Sequence, residues 1–528
     1  MKLLMKSVFL AVALGLVLPS AMAVPPGYVL KDLGTLQTLP TCVPPQDPTV
    51  DPCAVLSESS GQAVNNNGHV VGSSDTGGIN GTSGLPQTNA FLHDGASMQD
   101  LGTLGAGDVQ SVATSVNDSD QVVGFSDSDT GARTAFLYDP GSIPNMDLIP
   151  AGTGNLGSIA NDVNNGGQVV GFALFDETDC GPDPLNLPHY EANRAFVYDK
   201  SQSPNPTYLT LLPASAHDFA YGINQAGQIA GYSLVPGVDP DTGDPVVDAD
   251  GCPLFYSTRA FLYDLATSNV TAVGGTSGAL SGGTWSEAYA INSAGEVVGD
   301  SGVGDVTAVP PSYDQSYHAF QYTATGGMVD LGTLTGGMTS VAHGINDDGE
   351  IVGFGDTATS PSHAFVYDPA ASAMHDLNDL ITASGWELTQ AWAVNEKGQI
   401  TGDGVYTYDD PDLGTVSVAR AYLLTPDSDG DGVGDAAVGD PTSGGDPADN
   451  CKLVSNADQR DTNGDGFGNV CDADLNNDGI VNTLDFGLFR KAYGSTGPNL
   501  DADFNGDGIV NTLDFGLFRK MYGAPPGP

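Results

Sequence analysis

An acidic loop at 474–485 places oxygen-bearing side chains at every second position. With Asp474 as position 1, the oxygen donors in this pattern are Asp474, Asn476, Asp478, the backbone carbonyl of Ile480, Asn482 and Asp485. Gly479 at position 6 permits the sharp turn that brings these oxygens around one centre. Oxygen donors without His or Cys favour calcium over zinc or copper. The loop is therefore predicted to bind calcium, with Asp rather than Glu at position 12.

Two further loops fill the same positions. The loop that begins 29 residues later offers Asp503, Asn505, Asp507, Ile509, Asn511 and Asp514. The loop upstream offers Asp461, Asn463, Asp465, Phe467, Asn469 and Asp472. A fourth loop starts at Asp427 but carries Val438 at position 12, so we expect that site to be incomplete, and a flexible acidic linker is the alternative for 427–448. Because clustered carboxylates repel one another, calcium is expected to act as a folding ligand for this tail.

Each of the last two loops precedes an amphipathic segment, which reads TLDFGLFRKAY at 483–493 and begins again at Thr512. Leu484, Leu488 and Ala492 at i, i+4 and i+8 predict a helix with an apolar stripe. Gly487 within it costs roughly 1 kcal/mol relative to Ala. No helix is expected before either loop, because the residues ahead of them are rich in Gly and Asp.

Two loop-helix units with Asp at position 12 and no entering helix resemble a type I dockerin over 474–523. This resemblance implies a cohesin-like protein partner, contacted by positions 10, 11, 17 and 18 of each unit. Those positions are Thr483, Leu484, Arg490 and Lys491, and then Thr512, Leu513, Arg519 and Lys520. A solvated basic helix face is the alternative for the Arg-Lys pairs. If the units pack about a local twofold axis, either could face the partner; duplication to build a two-unit core is the plainer explanation.

The segment DNCKLVSNADQRDTNGDGFGNVCD at 449–472 is similar to a thrombospondin type 3 repeat. Cysteine positions suggest three local disulfides, although spacing alone leaves other pairings open. The expected pairs are Cys451 with Cys471, Cys180 with Cys252, and Cys42 with Cys53. Residues 1–23 have the charged start, apolar run and small-residue end of a secretory signal, which places the protein outside the cell, where disulfides form. Cell-surface association through the dockerin-like tail is a further expectation, and no later apolar stretch is long enough to span a membrane.

Residues 28 to about 424 repeat a unit of about 50 residues. Six of the seven units have an Asn-x-x-Gly turn between two apolar runs, and the unit of Asn117 has Asp120 in place of the Gly; such a turn is typical of a β-hairpin. The anchoring Asn occurs seven times, at Asn65, Asn117, Asn164, Asn224, Asn292, Asn346 and Asn395. A third strand is predicted at segments such as HAFVYD (363–368), and a fourth at QDLGTL (99–104) and VDLGTL (329–334).

The two ends of the repeat region are incomplete in complementary ways. LKDLGTL at 30–36 is a lone fourth-type strand, whereas the last unit ends after its third strand, ARAYLL (419–424). The N-terminal strand is therefore expected to complete the last blade of a mainly β, seven-bladed β-propeller. An open β-solenoid is the alternative. The HAF tripeptides and the GINxxGxxVG pattern resemble the extracellular HAF repeat family, which implies secretion and a repeated β-fold.

These features predict a domain order of signal peptide (1–23), HAF-like propeller (24–424), thrombospondin type 3-like calcium segment (425–472), dockerin-like domain (473–523) and short tail (524–528). The net charge of −50 argues against nucleic acid as a partner, because phosphates require Lys and Arg. The sequence has no HExxH, GxSxG or phosphate-loop motif, and GDSG at 299–302 is interpreted as the end of a strand, so we assign no catalytic residue.

The leading hypothesis is a secreted calcium-binding protein, with a propeller that serves as a recognition scaffold and a tail that docks to a cohesin-like partner. A polysaccharide or cell-surface molecule is the expected class of propeller ligand. The rival hypothesis is a dockerin-bearing carbohydrate-active enzyme, a glycoside hydrolase of polysaccharide catabolism, with its site in the propeller channel. Two carboxylates about 5 to 9.5 Å apart in that channel would favour the rival.

Overall fold

The structure of the protein, a computed structural model, describes residues 27–36, 58–79, 86–105, 110–127, 133–142, 146–151, 155–177, 190–213, 215, 217–236, 256–274, 279–280, 283–303, 316–411, 414–439 and 445–527. Over these ranges the chain forms seven four-stranded antiparallel sheets followed by two α-helices. The fold is the predicted seven-bladed β-propeller, so the open solenoid is excluded. The predicted signal peptide lies outside the described residues.

Each blade uses four strands in chain order, except where the termini meet. The first strand of the chain is β1 (Gly27–Asp32). Blade 1 is β2 (Ser59–Val64), β3 (Val70–Ile79), β4 (Pro86–His93) and β5 (Met98–Gly102); blade 2 is β6 (Ser111–Val116), β7 (Val122–Asp127), β8 (Arg133–Tyr138) and β9 (Met146–Leu148). Blade 3 is β10 (Asn155–Val163), β11 (Gln168–Glu177), β12 (Tyr190–Asp199) and β13 (Thr207–Tyr208); blade 4 is β14 (His217–Ile223), β15 (Gln228–Pro236), β16 (Tyr256–Asp264) and β17 (Asn269–Ala272).

The remaining blades continue this order up to the closing sheet. Blade 5 is β18 (Ser286–Ile291), β19 (Val297–Gly302), β20 (Tyr317–Thr323) and β21 (Gly327–Asp330); blade 6 is β22 (Ser340–Ile345), β23 (Ile351–Gly355), β24 (His363–Asp368) and β25 (Ala373–Asp376). Blade 7 is β26 (Trp386–Val394), β27 (Ile400–Asp410) and β28 (Gly414–Asp427), completed by β1.

The ring closes by pairing the beginning of the described chain with the end of the propeller. Strand β1 runs antiparallel to β28, with Gly27 opposite Asp427 and Asp32 opposite Tyr422. This pairing gives every blade a fourth strand, and it joins segments nearly 400 residues apart. The predicted closure is confirmed.

A second ring, made of hydrogen bonds, joins the seven Asn turns. Each anchoring Asn donates a side-chain N–H to the backbone carbonyl of the next anchoring Asn, over 2.8 to 3.2 Å. The last of them, Asn395, donates to Asn65 and so completes the circle. The Oδ1 of each Asn meanwhile accepts the N–H four residues on, which fixes its own hairpin. One residue type thus sets both the turn and the contact between blades.

A β-bulge in every inner strand explains the glycine of the second strand. In blade 6, for example, the register shifts between Ala342 and Gly344, so that His343 is the extra residue. A Cβ on the opposing Gly353 would lie 1.9 Å from the carbonyl oxygen of Val341. The equivalent contact is 1.9 to 2.0 Å in all seven blades, so only glycine fits opposite the bulge.

Blade cores lie between neighbouring sheets. The Ala-Phe pairs of the third strands are fully buried there, as at Ala319 and Phe320. The His that precedes these pairs bonds to the fourth strand: His318 Nδ1 lies 2.9 Å from Asp330, and His363 Nδ1 lies 2.6 Å from Asp376. These histidines therefore join strands within a blade.

The fourth strands are shorter than the sequence predicts. Strand β21 ends at Asp330, and the rest of VDLGTL turns away from the sheet. Asp330 Oδ1 accepts the N–H of Gly332 over 2.7 Å, and Gly332 has a φ of 77°, which extended backbone does not adopt. The same 2.7 Å bond links Asp100 to Gly102, so the Asp-x-Gly sequence ends these edge strands.

The C-terminal module contains the helices α1 (Thr483–Ala492) and α2 (Thr512–Met521) around a separate apolar core. Phe489, Phe504 and Phe518 are at most 2% exposed and stack with ring centroids 5.6 to 6.0 Å apart. The predicted helices are confirmed; Leu484 is 63% exposed, and Phe486 and Phe489 face the core. Neither helix has the length and apolar character that a bilayer-crossing helix needs, among the residues described.

Candidate calcium loops, docking face and channel

The side chains of the loop at 474–485 bond to the loop's own backbone. Asp474 is 1% exposed, and its carboxylate accepts the N–H of Asp478 and of Gly479 over 3.2 and 2.6 Å. Asn476 Oδ1 and Asp478 Oδ1 accept the N–H groups two residues ahead of them. The donor types of this loop, which are carboxylates, amides and a carbonyl, suit calcium.

Asp485, at position 12, joins this loop to α1. The side chain is fully buried and accepts the N–H of Asn476 over 3.2 Å and of Asn482 over 2.8 Å. Asn482 in turn caps the helix by accepting the N–H of Leu484 over 2.8 Å. The metal loop and the helix therefore share residues, so fixing the loop also fixes the start of the helix.

The loop at 503–514 has the same geometry. Asp503 accepts the N–H of Gly508 over 2.9 Å, and Asp514 accepts the N–H groups of Asn505 and Asn511 over 3.2 and 2.8 Å. The remaining bonds through Asp507, Ile509 and Asn511 also match their counterparts in the first loop. The two loops therefore adopt equivalent conformations.

The two units exchange backbone hydrogen bonds. Gly494, after α1, donates to the carbonyl of Val510 over 2.8 Å; Gly523, after α2, donates to the carbonyl of Val481 over 2.8 Å. Each helix end is thus held by the loop of the other unit. This reciprocity is what a local twofold arrangement requires.

The third loop, at 461–472, packs against the two-unit module. Asp461 accepts the N–H groups of Gly464 and Gly466 over 2.7 and 2.9 Å, as position 1 does in the other loops. Asn463, Asp465 and Phe467 follow the same pattern. Asn469 is 3% exposed, and its Oδ1 accepts the N–H of Thr462.

Asp501 adds a carboxylate to this loop that sequence reasoning missed. Burial, together with the nearby charges of Asp465, Asp501 and Asp474, raises the pKa of Asp472 to about 7. Burial and the charges of Asp465 and Asp461 likewise raise the pKa of Asp501. Asp501 belongs to the segment between the two helices, so only the fold brings it here. A divalent cation would relieve this repulsion.

The fourth loop lies beside an acidic side chain, Asp449, from farther along the chain. Carboxylate oxygens of Asp427, Asp429 and Asp431 lie within 4.8 Å of one another. Asp449, 5% exposed, donates its backbone N–H to Gly434 over 2.8 Å, and its Oδ2 is buried without a partner, as is Oδ2 of Asp429. Burial raises the pKa of Asp429 to about 6, with the charges of Asp431 and Asp449 adding to the shift. The expectation of an incomplete site, based on Val438, overlooked Asp449.

The eight residues expected to contact a partner are all exposed on α1 and α2. They are Thr483, Leu484, Arg490, Lys491, Thr512, Leu513, Arg519 and Lys520. Leu484 and Leu513 are 63% and 62% exposed, and Tyr493 and Tyr522 are each 50% exposed. The paired values show that the two units present matching apolar and basic surfaces.

The predicted disulfide between Cys451 and Cys471 is formed, with Cα atoms 5.8 Å apart. It closes the segment that carries the third loop. The other predicted pairs, Cys180 with Cys252 and Cys42 with Cys53, lie outside the described residues.

A cavity of about 510 Å³ occupies the propeller channel, lined by the inner strands. Asp162 is the carboxylate among the described residues that line it. Its oxygens already accept bonds from Ser115 Oγ over 2.6 Å and from the N–H groups of Val163 and Ile223 over 2.8 Å each. The pair of carboxylates that would favour a glycoside hydrolase does not line this part of the channel, nor is the lining made of small residues alone.

Family models match two separate parts of the chain. Residues 472–521 match the Dockerin type I domain, the module that holds the two paired loops and helices. Residues 276–391 match a family described as Protein of unknown function (DUF3466), which spans blades 5 and 6 and reaches into β26. No curated protein matches the chain.

Solved structures resemble the propeller only at low identity. The β-propeller domain of the Trilobed protease from Pyrococcus furiosus is 10% identical, with a TM-score of 0.34, over 63% of this chain and 99% of that one. An oligogalacturonate lyase in complex with manganese is 12% identical, with a TM-score of 0.32, over 58% and 86%. A polysaccharide lyase of family PL25, an ulvan lyase, is 9% identical, with a TM-score of 0.34, over 75% and 94%. The C-terminal part of the chain thus matches the dockerin type I family, and the propeller carries a match only to a family of unknown function.

Proposed function

We propose that the protein is a secreted, calcium-binding recognition protein that docks to a cohesin-like domain through its C-terminal module. The observation that carries this proposal is the pair of equivalent surfaces on α1 and α2, each with an exposed Thr-Leu and Arg-Lys set. The dockerin type I match over the same residues supports it. In this proposal, the propeller is the recognition scaffold that docking brings to a larger assembly.

Calcium has a structural role in the proposal. When bound, it supplies positive charge at the centre of each acidic loop, which offsets the repulsion among the carboxylates. Asp485 and Asp514 transmit that order to the helices, because each belongs to both a loop and a helix cap. The docking surface is then rigid only while its loops are filled. The set at Asp427, Asp429, Asp431 and Asp449 is proposed as a further calcium site.

Secretion is part of the proposal and is supported by the signal-like sequence at 1–23 and by the disulfide at Cys451. The resemblances to HAF repeats and to a thrombospondin type 3 repeat agree with an extracellular setting. The number of occupied loops and the location can be tested together by expressing the full chain with its leader. Mass measurement of the exported protein, with and without calcium, would report both cleavage after Ala23 and bound ions.

Charge reversal on the helices tests docking and its proposed two orientations. The probe is a type I cohesin domain immobilised in calcium buffer, with full-length protein in solution. If either surface suffices, Arg490→Glu with Lys491→Glu should change the dissociation constant by no more than about twofold, as should the equivalent change at Arg519 and Lys520. Reversing both pairs should weaken binding by at least about a hundredfold. Lys397→Glu with Lys452→Glu is the matched control, since both lysines are exposed and lie outside the helices.

Two outcomes would contradict the proposal. If the control variant weakens cohesin binding as much as the double reversal does, binding depends on the net charge of the protein and not on the helix residues. If one helix alone accounts for the whole loss, the two surfaces are not interchangeable. Chelation of calcium with EGTA should abolish binding by the unmodified protein, and persistence of full affinity would contradict the role given to the loops.

A further inference from the structure

The bulge residue of each inner strand is the variable position of the propeller repeat. The residue before it is Ala in six blades and Gly in blade 1, and the residue three positions after it is the anchoring Asn. The bulge residue itself changes from blade to blade, and in every blade it lines the channel. Bulges commonly aim a side chain toward a functional site. Variation within the repeat is therefore concentrated on the cavity.

These side chains divide the channel into two halves. Blades 1, 2 and 3 contribute the neutral side chains of Gln62, Thr114 and Asn161. The Thr114 hydroxyl donates to the carbonyl of Ala160 over 2.7 Å and so offers an acceptor. Each amide donates one N–H within the protein, and its second N–H and its oxygen complete the set of donors and acceptors. Blades 4 to 7 contribute the aromatic rings of Tyr221, Tyr289, His343 and Trp392. A ligand in the cavity would thus meet amides and a hydroxyl on one side and ring systems on the other.

The aromatic half is a continuous arc. Ring centroids are 5.4 Å apart between Tyr221 and Tyr289, 5.0 Å between Tyr289 and His343, and 4.4 Å between His343 and Trp392. Tyr289 is fixed by its hydroxyl, which donates to Glu287 over 2.7 Å. Trp392 is fixed by its Nε1, which donates to Asp403 over 2.9 Å. The rings are held in place before any ligand arrives.

The lining has little free charge. No Lys or Arg lines the cavity among the described residues, so an anionic group would find no counter-charge. The carboxylate of Asp162 is committed to Ser115 and two backbone N–H groups, which leaves it poorly placed to hold a cation. Burial lowers the pKa of His343 to about 3, so its ring is neutral at ordinary pH. The site therefore selects against charge of either sign.

We propose that the propeller channel binds a neutral, polyhydroxylated ligand, such as an uncharged sugar unit, between the aromatic arc and the amide side chains. The C–H face of a sugar packs well on aromatic rings, while its hydroxyls need mixed donors and acceptors such as Gln62, Thr114 and Asn161 supply. A volume of about 510 Å³ lies in the range of small-molecule sites. This inference rests on the proposed role of the propeller as a recognition scaffold and names the ligand class.

Titration of the full-length protein with sugars of different charge tests the inference. The probes are cellobiose and maltose as neutral disaccharides, digalacturonate as the anion and the dimer of glucosamine as the cation, followed by tryptophan fluorescence and calorimetry. The neutral disaccharides should bind with dissociation constants of about 1 mM or lower. Trp392→Ala should weaken that binding by about tenfold or more, because stacking and the fixed ring edge are both lost.

The matched control is Trp386→Ala, because Trp386 stacks on Tyr406 outside the cavity lining. It should leave sugar binding unchanged. Gln62→Ala is a second variant that tests the amide side without removing a large ring, and it should weaken binding severalfold. Tighter binding of the charged probes, absence of binding by both neutral probes at about 10 mM, or unchanged affinity in Gln62→Ala together with Trp392→Ala would each overturn the inference.

Cohesin binding measured on the same samples separates this inference from the docking proposal. Trp392→Ala should bind immobilised cohesin as the unmodified protein does, because the channel lies outside the two-helix module. Loss of sugar binding with normal docking is the expected result. Failure of docking alone would leave the channel result standing.

Discussion

At the scale of single residues, Asp485 and Asp514 carry two roles. Each occupies position 12 of a predicted calcium loop, and each accepts the Ncap N–H of the following helix. Both side chains are fully buried. Burying a carboxylate without a metal ion or hydrogen-bond donors would destabilise the fold. Here two backbone N–H groups donate to the Asp485 carboxylate. The two roles can be separated by substitution.

We predict that Asp485→Asn and Asp485→Ala differ most when calcium is absent. Asn removes the charge and keeps one of the two acceptor oxygens, so the module in EGTA should lose only part of the stability that Ala loses. Ala removes the cap as well, which should cost about 0.5–2 kcal/mol. In calcium, both variants should lose most of the metal-dependent rise in unfolding temperature, as followed by differential scanning calorimetry. Equal behaviour of the two variants in EGTA would contradict the capping role.

His343 makes the acid stability of the propeller testable. Its pKa is lowered by burial to about 3, whereas an unfolded His titrates near 6.5. Below pH 6.5 the unfolded chain binds a proton at this His, whereas the folded protein does not. The free energy of unfolding therefore decreases as the pH falls from 6.5 toward 3. This effect adds up to about 1.4 kcal/mol per pH unit.

The variant His343→Gln should therefore have a flatter dependence of unfolding free energy on pH between 6 and 4 than the wild type. Urea titrations at several pH values would measure the difference. His375→Gln is the matched control, because His375 lies on β25 outside the channel lining. A slope in His343→Gln that equals the wild-type slope would show that the folded ring does take up a proton in this range.

At the scale of elements, the hairpin of each blade is a coupled unit of bulge, turn and glycine. The bulge brings the backbone of the inner strand close to the second strand, so the second-strand position opposite it has room only for glycine. The Asn at the turn then binds the next blade. The anchoring Asn and the second-strand Gly are thus parts of one structural device, which all seven blades use.

We predict that Gly353→Ala destabilises the propeller by at least about 2 kcal/mol, because its Cβ would meet the carbonyl oxygen of Val341 at 1.9 Å. Gly141→Ala is the control, since the nearest atom to a Cβ there is 3.5 Å away. The control should be neutral within about 0.5 kcal/mol. Chemical denaturation of both variants would measure the costs, and a neutral Gly353→Ala would mean that the two strands can separate locally without loss of stability.

At the scale of the whole molecule, the acidic segment that follows the propeller contacts both of its neighbours. On the propeller side, Val438 is 3% exposed within the core formed by blades 7 and 1. Gly439 donates to Asn67, and Lys31 of β1 donates to Asp446 over 2.6 Å. On the other side, Arg460 binds Asp503 and Asn469 donates to Asp501. The segment therefore covers the point where the propeller ring closes.

We predict that Val438→Ala lowers the stability of the propeller and its dependence on calcium together. Removing this buried side chain beside Leu33 and Phe91 should cost about 2 kcal/mol without adding an oxygen donor at position 12 of the loop. Asp427, Asp429, Asp431 and Asp449 flank this excursion of the chain, so calcium bound there would hold its two ends. In the wild type, EGTA should lower the propeller transition in calorimetry; in Val438→Ala, that shift should shrink.

The control is Val329→Ala, because Val329 is 50% exposed on β21, away from the closure. It should leave both the transition and its calcium shift unchanged. A propeller transition that does not respond to calcium in the wild type would show that the acidic segment does not stabilise ring closure. A full calcium shift in Val438→Ala would assign the effect to contacts other than this apolar anchor.

The sequence alone predicts much of this architecture, because the repeats indicate how many blades there are and how each is built. Seven Asn turns and complementary end strands determined the number of blades and the closure by β1, since each blade is built from contacts close in the chain. The alternating oxygen donors likewise determined the loops, whose geometry is local. The predicted ends of the fourth strands were wrong, because the Asp-x-Gly bond ends these strands before the repeated segment ends.

Tertiary structure alone decided which distant residues meet. The Asn395 bond to Asn65 spans 330 positions, and Asp501 lies beside a loop that ends at Asp472. Asp449 bonds to Gly434 of the fourth loop, although it follows that loop in the chain. The direction of the bulge side chains into the channel also follows only from the closed ring. Local spacing fixes turns and loops because the chain there has few alternatives, whereas long-range contacts depend on how all seven blades pack around one axis.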